Sequence, residues 1–131
     1  MRPTKIWANL GVQNVERTRN FYTSLGFKSN EGDQKAVELT SFLIGESDFV
    51  VHFFANDSLK DSIGGQLADL SRGNEVIFTL WAESREEADE WAAEVRNAGG
   101  TIFSEPAEFG KGYYGFGFSD PDGHKWNVFH M

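Results

Sequence analysis

The sequence predicts an α+β fold: two β-α-β-β-β modules forming an open half-barrel mixed sheet around a concave cleft, with the helices outside. Three observations predict it. The order strand, capped helix, three strands occurs twice along the chain. The stretch from Ser119 to Phe129 reads as a tight turn feeding a final strand. A length of 131 residues suits one domain with a real core.

In the first module, residues 6–12 (Ile6, Trp7, Ala8, Asn9, Leu10, Gly11, Val12) form a short apolar run. Asn14 is suited to an N-cap. Thr18, Phe21, Tyr22 and Leu25 then recur at helical spacing, and Gly26 stops the helix. Strand-like segments follow at 27–29, 36–44 and 49–55. The second module repeats this order. Residues 76–82 are the strand. Ser84, Arg85, Glu86 and Glu87 form a capping box, in which the serine hydroxyl accepts from the Glu87 amide and the Glu87 carboxylate reaches back. Ala88, Trp91, Ala92 and Val95 mark the buried stripe, and Gly99 with Gly100 ends the helix, about one turn longer than the first. Strands are expected at 101–105, 113–119 and 125–130. The boundaries are module 1 at about 4–56, a linker at about 57–74 with a short helix, and module 2 at about 75–131. Neither module can cover its own concave sheet face, so the pair should line a small-molecule cleft.

Composition excludes several function classes. A net charge of -8 argues against nucleic acid and anionic membranes, which require basic surfaces. No apolar run approaches spanning length. The chain has no cysteine, hence no thiolate nucleophile, disulfide or Cys-bound metal. Met1, Arg2, Pro3, Thr4 and Lys5 run straight into the first strand and do not read as a signal peptide. A cytoplasmic soluble protein is expected. With 12 Phe, 4 Trp and 3 Tyr, most aromatics must be core, and a few can line a cavity.

The turn is Asp120, Pro121, Asp122, Gly123. Proline presets φ, Asp side chains bond nearby amides, and glycine tolerates positive φ. In the strand beyond it, Lys125, Asn127 and Phe129 share one face, and Trp126 and Val128 the other. This turn and strand, with Asn9, Phe21, Tyr22, the capping box, Tyr113, Tyr114 and Gly115, resemble the glyoxalase / bleomycin-resistance / extradiol-dioxygenase (vicinal oxygen chelate) superfamily. Within it they resemble a bacterial subgroup labelled predicted lactoylglutathione lyase. The resemblance implies a homodimer. It also implies a metal site with one ligand from the first and last strands of each module, where the metal acts as a Lewis acid on vicinal substrate oxygens. Those positions fall here at Trp7, His52, Ile77 (Val76 if the register slips by one) and Asn127. Two of them cannot bind metal and an amide is a weak ligand, so no cofactor is expected.

The candidate ligand-binding residues are Trp7, Asn9, His52, Thr79, Trp81, Tyr114 and Asn127, an aromatic box with polar groups that fix orientation. Trp7 and Ile77 have a plainer reading as filling for the volume that metal occupies in relatives. His52, flanked by Val50 and Phe54, reads either as a hydrogen-bonded core residue or as a polar anchor in the pocket. Residues 105–115 form a Gly-rich segment, read as a hairpin loop or a cover for the cleft mouth. The acidic helix residues Glu86, Glu87, Asp89, Glu90 and Glu94 read as a solvated face. Three functions compete: a metal-free small-molecule binder, a metal-dependent lyase, isomerase or dioxygenase, and a degenerate dimeric interaction module. Bound metal separates the second from the others.

Overall fold

The computed structural model describes residues 1–131. The elements are β1 (Trp7–Val12), α1 (Val15–Ser24), β2 (Lys28–Ser29), β3 (Leu39–Ile44), β4 (Phe49–Ala55), α2 (Asn56–Ile63), β5 (Ile77–Trp81), α3 (Arg85–Asn97), β6 (Thr101–Phe109), β7 (Tyr113–Ser119) and β8 (Lys125–His130). They form two compact units, Met1–Leu67 and Ala68–Met131. Each holds one four-stranded mixed sheet, ordered β1-β4-β3-β2 and β5-β8-β7-β6. In each, the first strand runs parallel to the last and the others pair antiparallel. This is the α+β fold with two β-α-β-β-β modules that the sequence predicts.

Both main helices start and stop by the same chemistry. The Asn14 side chain accepts from the Arg17 amide at 3.0 Å, and Ser84 Oγ from the Glu87 amide at 3.0 Å. The Glu87 carboxylate reaches one residue beyond the cap, to the Glu83 amide at 2.6 Å. At the other end Gly26 and Gly99 adopt positive φ. The Phe27 amide then donates to the Tyr22 carbonyl and the Gly100 amide to the Val95 carbonyl, closing off carbonyls the helix leaves unpaired.

Strand alternation separates two faces in each sheet. In the first unit Val12, Phe42, Val51 and Phe53 pack toward α1, where they meet Phe21 and Tyr22. Tyr22 stacks on Phe53 with centroids 4.6 Å apart. In the second unit Phe116, Phe118, Trp126 and Val128 face α3, whose buried residues are Ala88, Ala92 and Val95. Two of these are alanines, and small side chains let a helix approach a sheet that carries large ones.

The first unit is also tied together by charge. Arg19 donates from Nε and Nη2 to the two oxygens of Glu31, at 3.2 and 2.9 Å, and from Nη2 to the carbonyls of Ala36 and Leu39. It also pairs with Glu16. Thr40 donates to Glu31 at 2.7 Å. The network pins the strandless stretch between β2 and β3 onto α1. β3 begins at Leu39, where pairing with Phe54 of β4 starts, and not at residue 36 as expected.

Other expectations shift in detail. Residues 105–115 are not a loop: β6 runs to Phe109 and β7 starts at Tyr113, leaving a tight turn with Gly110 and Gly112 at positive φ. The linker region holds α2, which follows β4 directly and ends at Gly64, φ 69°. Its apolar residues divide between the units. Leu59 and Leu67 lie over Gly11, where a Cβ would meet them at 3.1 and 3.6 Å, while Leu70 lies against Gly123.

The final turn is built on Asp120. Its carboxylate accepts from the amides of Asp122 (3.0 Å) and His124 (2.9 Å), and Gly123 takes φ 98°. Asn74 Nδ2 donates to the Gly123 carbonyl at 2.8 Å. This sets where β8 begins, and so which of its residues face away from α3.

Candidate functional site

In the first unit, Trp7, Asn9 and Gly11 of β1 share a face with Val50, His52 and Phe54 of β4, turned away from the α1 core. Asn9 stands directly beside His52, and Ser41 of β3 stands on its other side. Trp7 is exposed at 55%. Ser41 is buried, and its hydroxyl accepts from Asn30 Nδ2 at 3.0 Å. The Phe54 ring meets the His52 imidazole edge-on, with centroids 5.8 Å apart. α2 and Leu67 cover the Gly11 end of this face.

His52 Nδ1 is shielded from solvent and has no hydrogen-bond partner. A buried polar atom left unpaired costs roughly 1–3 kcal/mol. The reading of His52 as a satisfied core residue therefore does not describe this atom. A ligand or a bound water that reached it would recover that cost.

The second unit builds a related face. Ile77, Thr79 and Trp81 of β5 pair in register with Lys125, Asn127 and Phe129 of β8. Beyond β8 the face continues over Gly117 and Gly115 of β7. Thr79 stands beside Asn127 as Asn9 stands beside His52. Trp81 is 47% exposed and lies 5.5 Å from the His130 ring, whose Nδ1 is 2.9 Å from the Ala82 carbonyl oxygen.

Of the seven candidate residues, Trp7, Asn9 and His52 come together on the first face, and Thr79, Trp81 and Asn127 on the second. Tyr114 does not belong with them. It pairs across from His130 and lies on the α3 side of its sheet, where its hydroxyl bonds to Asp89 and Arg85 lies over its ring at 5.0 Å. The hydrogen bond to Asp89 holds its hydroxyl pKa above the ordinary value, with burial adding in the same direction. The alternation of β7 carries the reason. Tyr114, Phe116 and Phe118 form the bulky helix-facing set, and Tyr113, Gly115 and Gly117 the other. Asp89 is correspondingly a partner of Tyr114 and not simply part of a solvated face.

Lys125, Phe103, Phe109 and Phe129 were not among the candidate residues, although they stand on the second face. Lys125 and Phe129 share the alternation of Asn127, so that signal was present. Phe103 needed the three-dimensional register. Pairing between β6 and β7 slips between Ile102 and Ser104, leaving Phe103 as the extra residue of a bulge. Its ring lies over Gly117, where a Cβ would come within 2.5 Å. A second slip, between Ser104 and Ala107, spans Pro106, which has no amide to give the ladder.

The two glycines make different demands. A Cβ at Gly115 would meet the Val128 carbonyl oxygen at 2.1 Å, whereas at Gly117 it meets only a movable ring. Gly115→Ala should cost about 3 kcal/mol and Gly117→Ala about 1 kcal/mol. Paired urea melts giving equal losses would contradict this.

The positions that the resemblance assigns to metal carry Trp7 and His52 in the first unit and Ile77 and Asn127 in the second. Together they offer one imidazole and one neutral amide. No group of three or more His, Asp or Glu side chains is arranged so that it could hold a metal ion. These residues do not fit a divalent ion, which takes three or four anionic or imidazole ligands at such a site.

A family model described as the Glyoxalase/Bleomycin resistance protein/Dioxygenase superfamily matches residues 6–128. The chain belongs to this superfamily. Among solved structures, hypothetical protein SA1046 from S. aureus is 31% identical, the match covering 100% of this chain and 96% of that one with a TM-score of 0.86. A glyoxalase-related enzyme from Fulvimarina pelagi shares the fold at 19% identity, covering 97% and 88%, with a TM-score of 0.82. So does a lactoylglutathione lyase from Agrobacterium tumefaciens, at 16% identity, 98% and 94% coverage and a TM-score of 0.70. No curated protein matches the sequence. No helix of this superfamily member is long and apolar enough to cross a membrane.

Proposed function

We propose that this superfamily member binds a small organic molecule without a divalent metal at the family position. The donor set carries the reading: an indole, an imidazole, an alkyl side chain and an amide stand where chelating carboxylates or imidazoles would be needed. In the first unit Asn9 shares its face with exposed Trp7, and in the second Thr79 and Asn127 share theirs with exposed Ile77 and Trp81, all three polar side chains without side-chain partners. Exposed apolar surface with a few convergent polar groups is the ordinary make-up of a small-molecule site. The unpaired Nδ1 of His52 adds a buried group that a polar ligand would satisfy.

Elemental analysis after soaking with Ni²⁺, Zn²⁺, Fe²⁺ and Mn²⁺, followed by desalting, tests this reading. Expected is less than about one-tenth of an equivalent of any metal, since one imidazole does not hold a divalent ion through exchange. Stoichiometric metal that His52→Ala abolishes would overturn it and put the metal-dependent lyase or dioxygenase reading first. A homodimer belongs to the same proposal, because β1, β2, β5 and β6 each present an unpaired strand edge. Sedimentation of the same preparation as a monomer would remove it.

A further inference from the structure

We propose that Lys125 is the anion-binding group of the second face, and that its ligand class is the aromatic monocarboxylates. This rests on the small-molecule reading above and deepens it.

The chain carries 20 acidic and 12 basic residues. Arg19, Lys28, Arg85 and Arg96 all pair with carboxylates. Lys125 does not, and unlike Arg2, Lys5, Lys60, Arg72 and Lys111, which also lack an ion pair, it is not fully exposed. It has no hydrogen bond and no ion pair, and its Nζ lies 4.9 Å from the centroid of Phe103. The residue is only part exposed. An ammonium held against an aromatic face in a half-buried place gains from a counter-anion, and nothing in the chain supplies one.

Its two ladder partners are uncharged. Lys125 pairs across from Ile77 on one side and Ser119 on the other. Asn127 follows two residues along the same face, about 6.6 Å further on. A single cation with no second positive group beside it suits a monoanion. A phosphate dianion takes several donors or more than one cation.

The position of the ammonium is built, not incidental. The bulge at Phe103 and the missing side chain of Gly117 together let the ring lie where Lys125 meets it. The face beyond Asn127 is aromatic, with Trp81 and Phe129 in register and Phe109 4.6 Å from Phe129. A carboxylate at Lys125 thus places a ring carried on a short chain over Asn127 and Thr79, toward Trp81 and Phe129. The amide and hydroxyl there can bond a polar substituent on that ring.

The test uses the whole chain with phenylacetate and its neutral counterpart phenylacetamide, titrated against the indole N–H signals of the 4 Trp. Expected is a shift of the Trp81 signal by phenylacetate, with affinity about tenfold above that of the amide, as one charge-assisted contact allows. Lys125→Gln should lower the phenylacetate affinity about tenfold and leave the amide unchanged, while Lys125→Arg keeps most of it. A thermal melt confirms that each variant folds. Equal binding of acid and amide, or an unchanged phenylacetate affinity in Lys125→Gln, overturns the anion subsite but leaves the small-molecule reading standing. Lys125 would then serve only to cover Phe103 with its alkyl stem. If neither compound moves any indole signal up to its solubility limit, both proposals fall.

Discussion

Arg19→Ala is expected to destabilise the first unit by about 3–5 kcal/mol, the range for breaking a buried ion pair by removing one partner. The side chains of Arg19 and Glu31 are 10% and 7% exposed, so water cannot replace what either loses. The substitution strands the Glu31 carboxylate with only Thr40 as donor, and it frees the carbonyls of Ala36 and Leu39. Removing both charges, in Arg19→Met with Glu31→Gln, should recover much of the loss. It leaves an amide that still bonds Thr40 and no buried charge. Urea unfolding of the two variants at pH 7 separates these outcomes. Equal losses would mean that the network contributes packing and not charge.

The same pair makes stability depend on pH. Burial raises the Glu31 pKa, but hydrogen bonds from Arg19 and Thr40 and the Arg19 charge outweigh it and hold the folded value below the ordinary one. A carboxylate with a depressed folded pKa contributes stability above its unfolded pKa, about 4.3, and loses it as pH falls through the folded value. The stability gap between the parent chain and Glu31→Gln should therefore be constant near neutrality and close below about pH 4. A gap that widened on acidification would reverse the sign and contradict the assignment.

The second large effect is expected at Trp126. Trp126→Ala should cost about 3–5 kcal/mol, from lost apolar transfer and an unfilled cavity. Trp126 is 1% exposed, lies nearly parallel to Phe118 with centroids 6.2 Å apart, and meets Phe78 at 4.9 Å. β8 lies between β5 and β7 in the sheet, so its neighbours cannot close over the gap without breaking two ladders. Trp126→Phe should cost less than half as much, because a ring remains. The consequence reaches the opposite face, since Lys125 and Asn127 flank Trp126 and take their direction from its burial. Loss of the Trp81 indole response in a Trp126→Ala protein that is still folded would show that coupling. A cost below about 1 kcal/mol would show that the position is not core.

Much of this protein was legible in the order of its residues. β4, β7 and β8 have the expected limits because turn chemistry bounds them: Gly45 before β4, Gly110 and Gly112 before β7, and Asp120 to Gly123 before β8. Caps and glycine stops act over three to five residues, so both long helices could be read locally. Alternation is equally local, and it placed Trp7, Asn9, His52, Thr79, Trp81 and Asn127 on the faces they occupy. The error at Tyr114 came from taking a tyrosine as a ligand group before asking which of its alternate neighbours were bulky.

The rest is long-range. That Arg19 would reach Glu31 and two carbonyls 17 and 20 residues away is a matter of packing, which no window of sequence contains. The bulge that brings Phe103 over Gly117 depends on how β6 and β7 slip past each other, with an extra residue in one strand and none in the other. The isolation of His52 Nδ1 and of the Lys125 ammonium is likewise invisible in sequence, because being without a partner is a property of everything around a group. Local order thus determined most of the elements and their faces. Tertiary structure alone decided which polar groups were left unpaired, because pairing depends on distances between residues far apart in the chain.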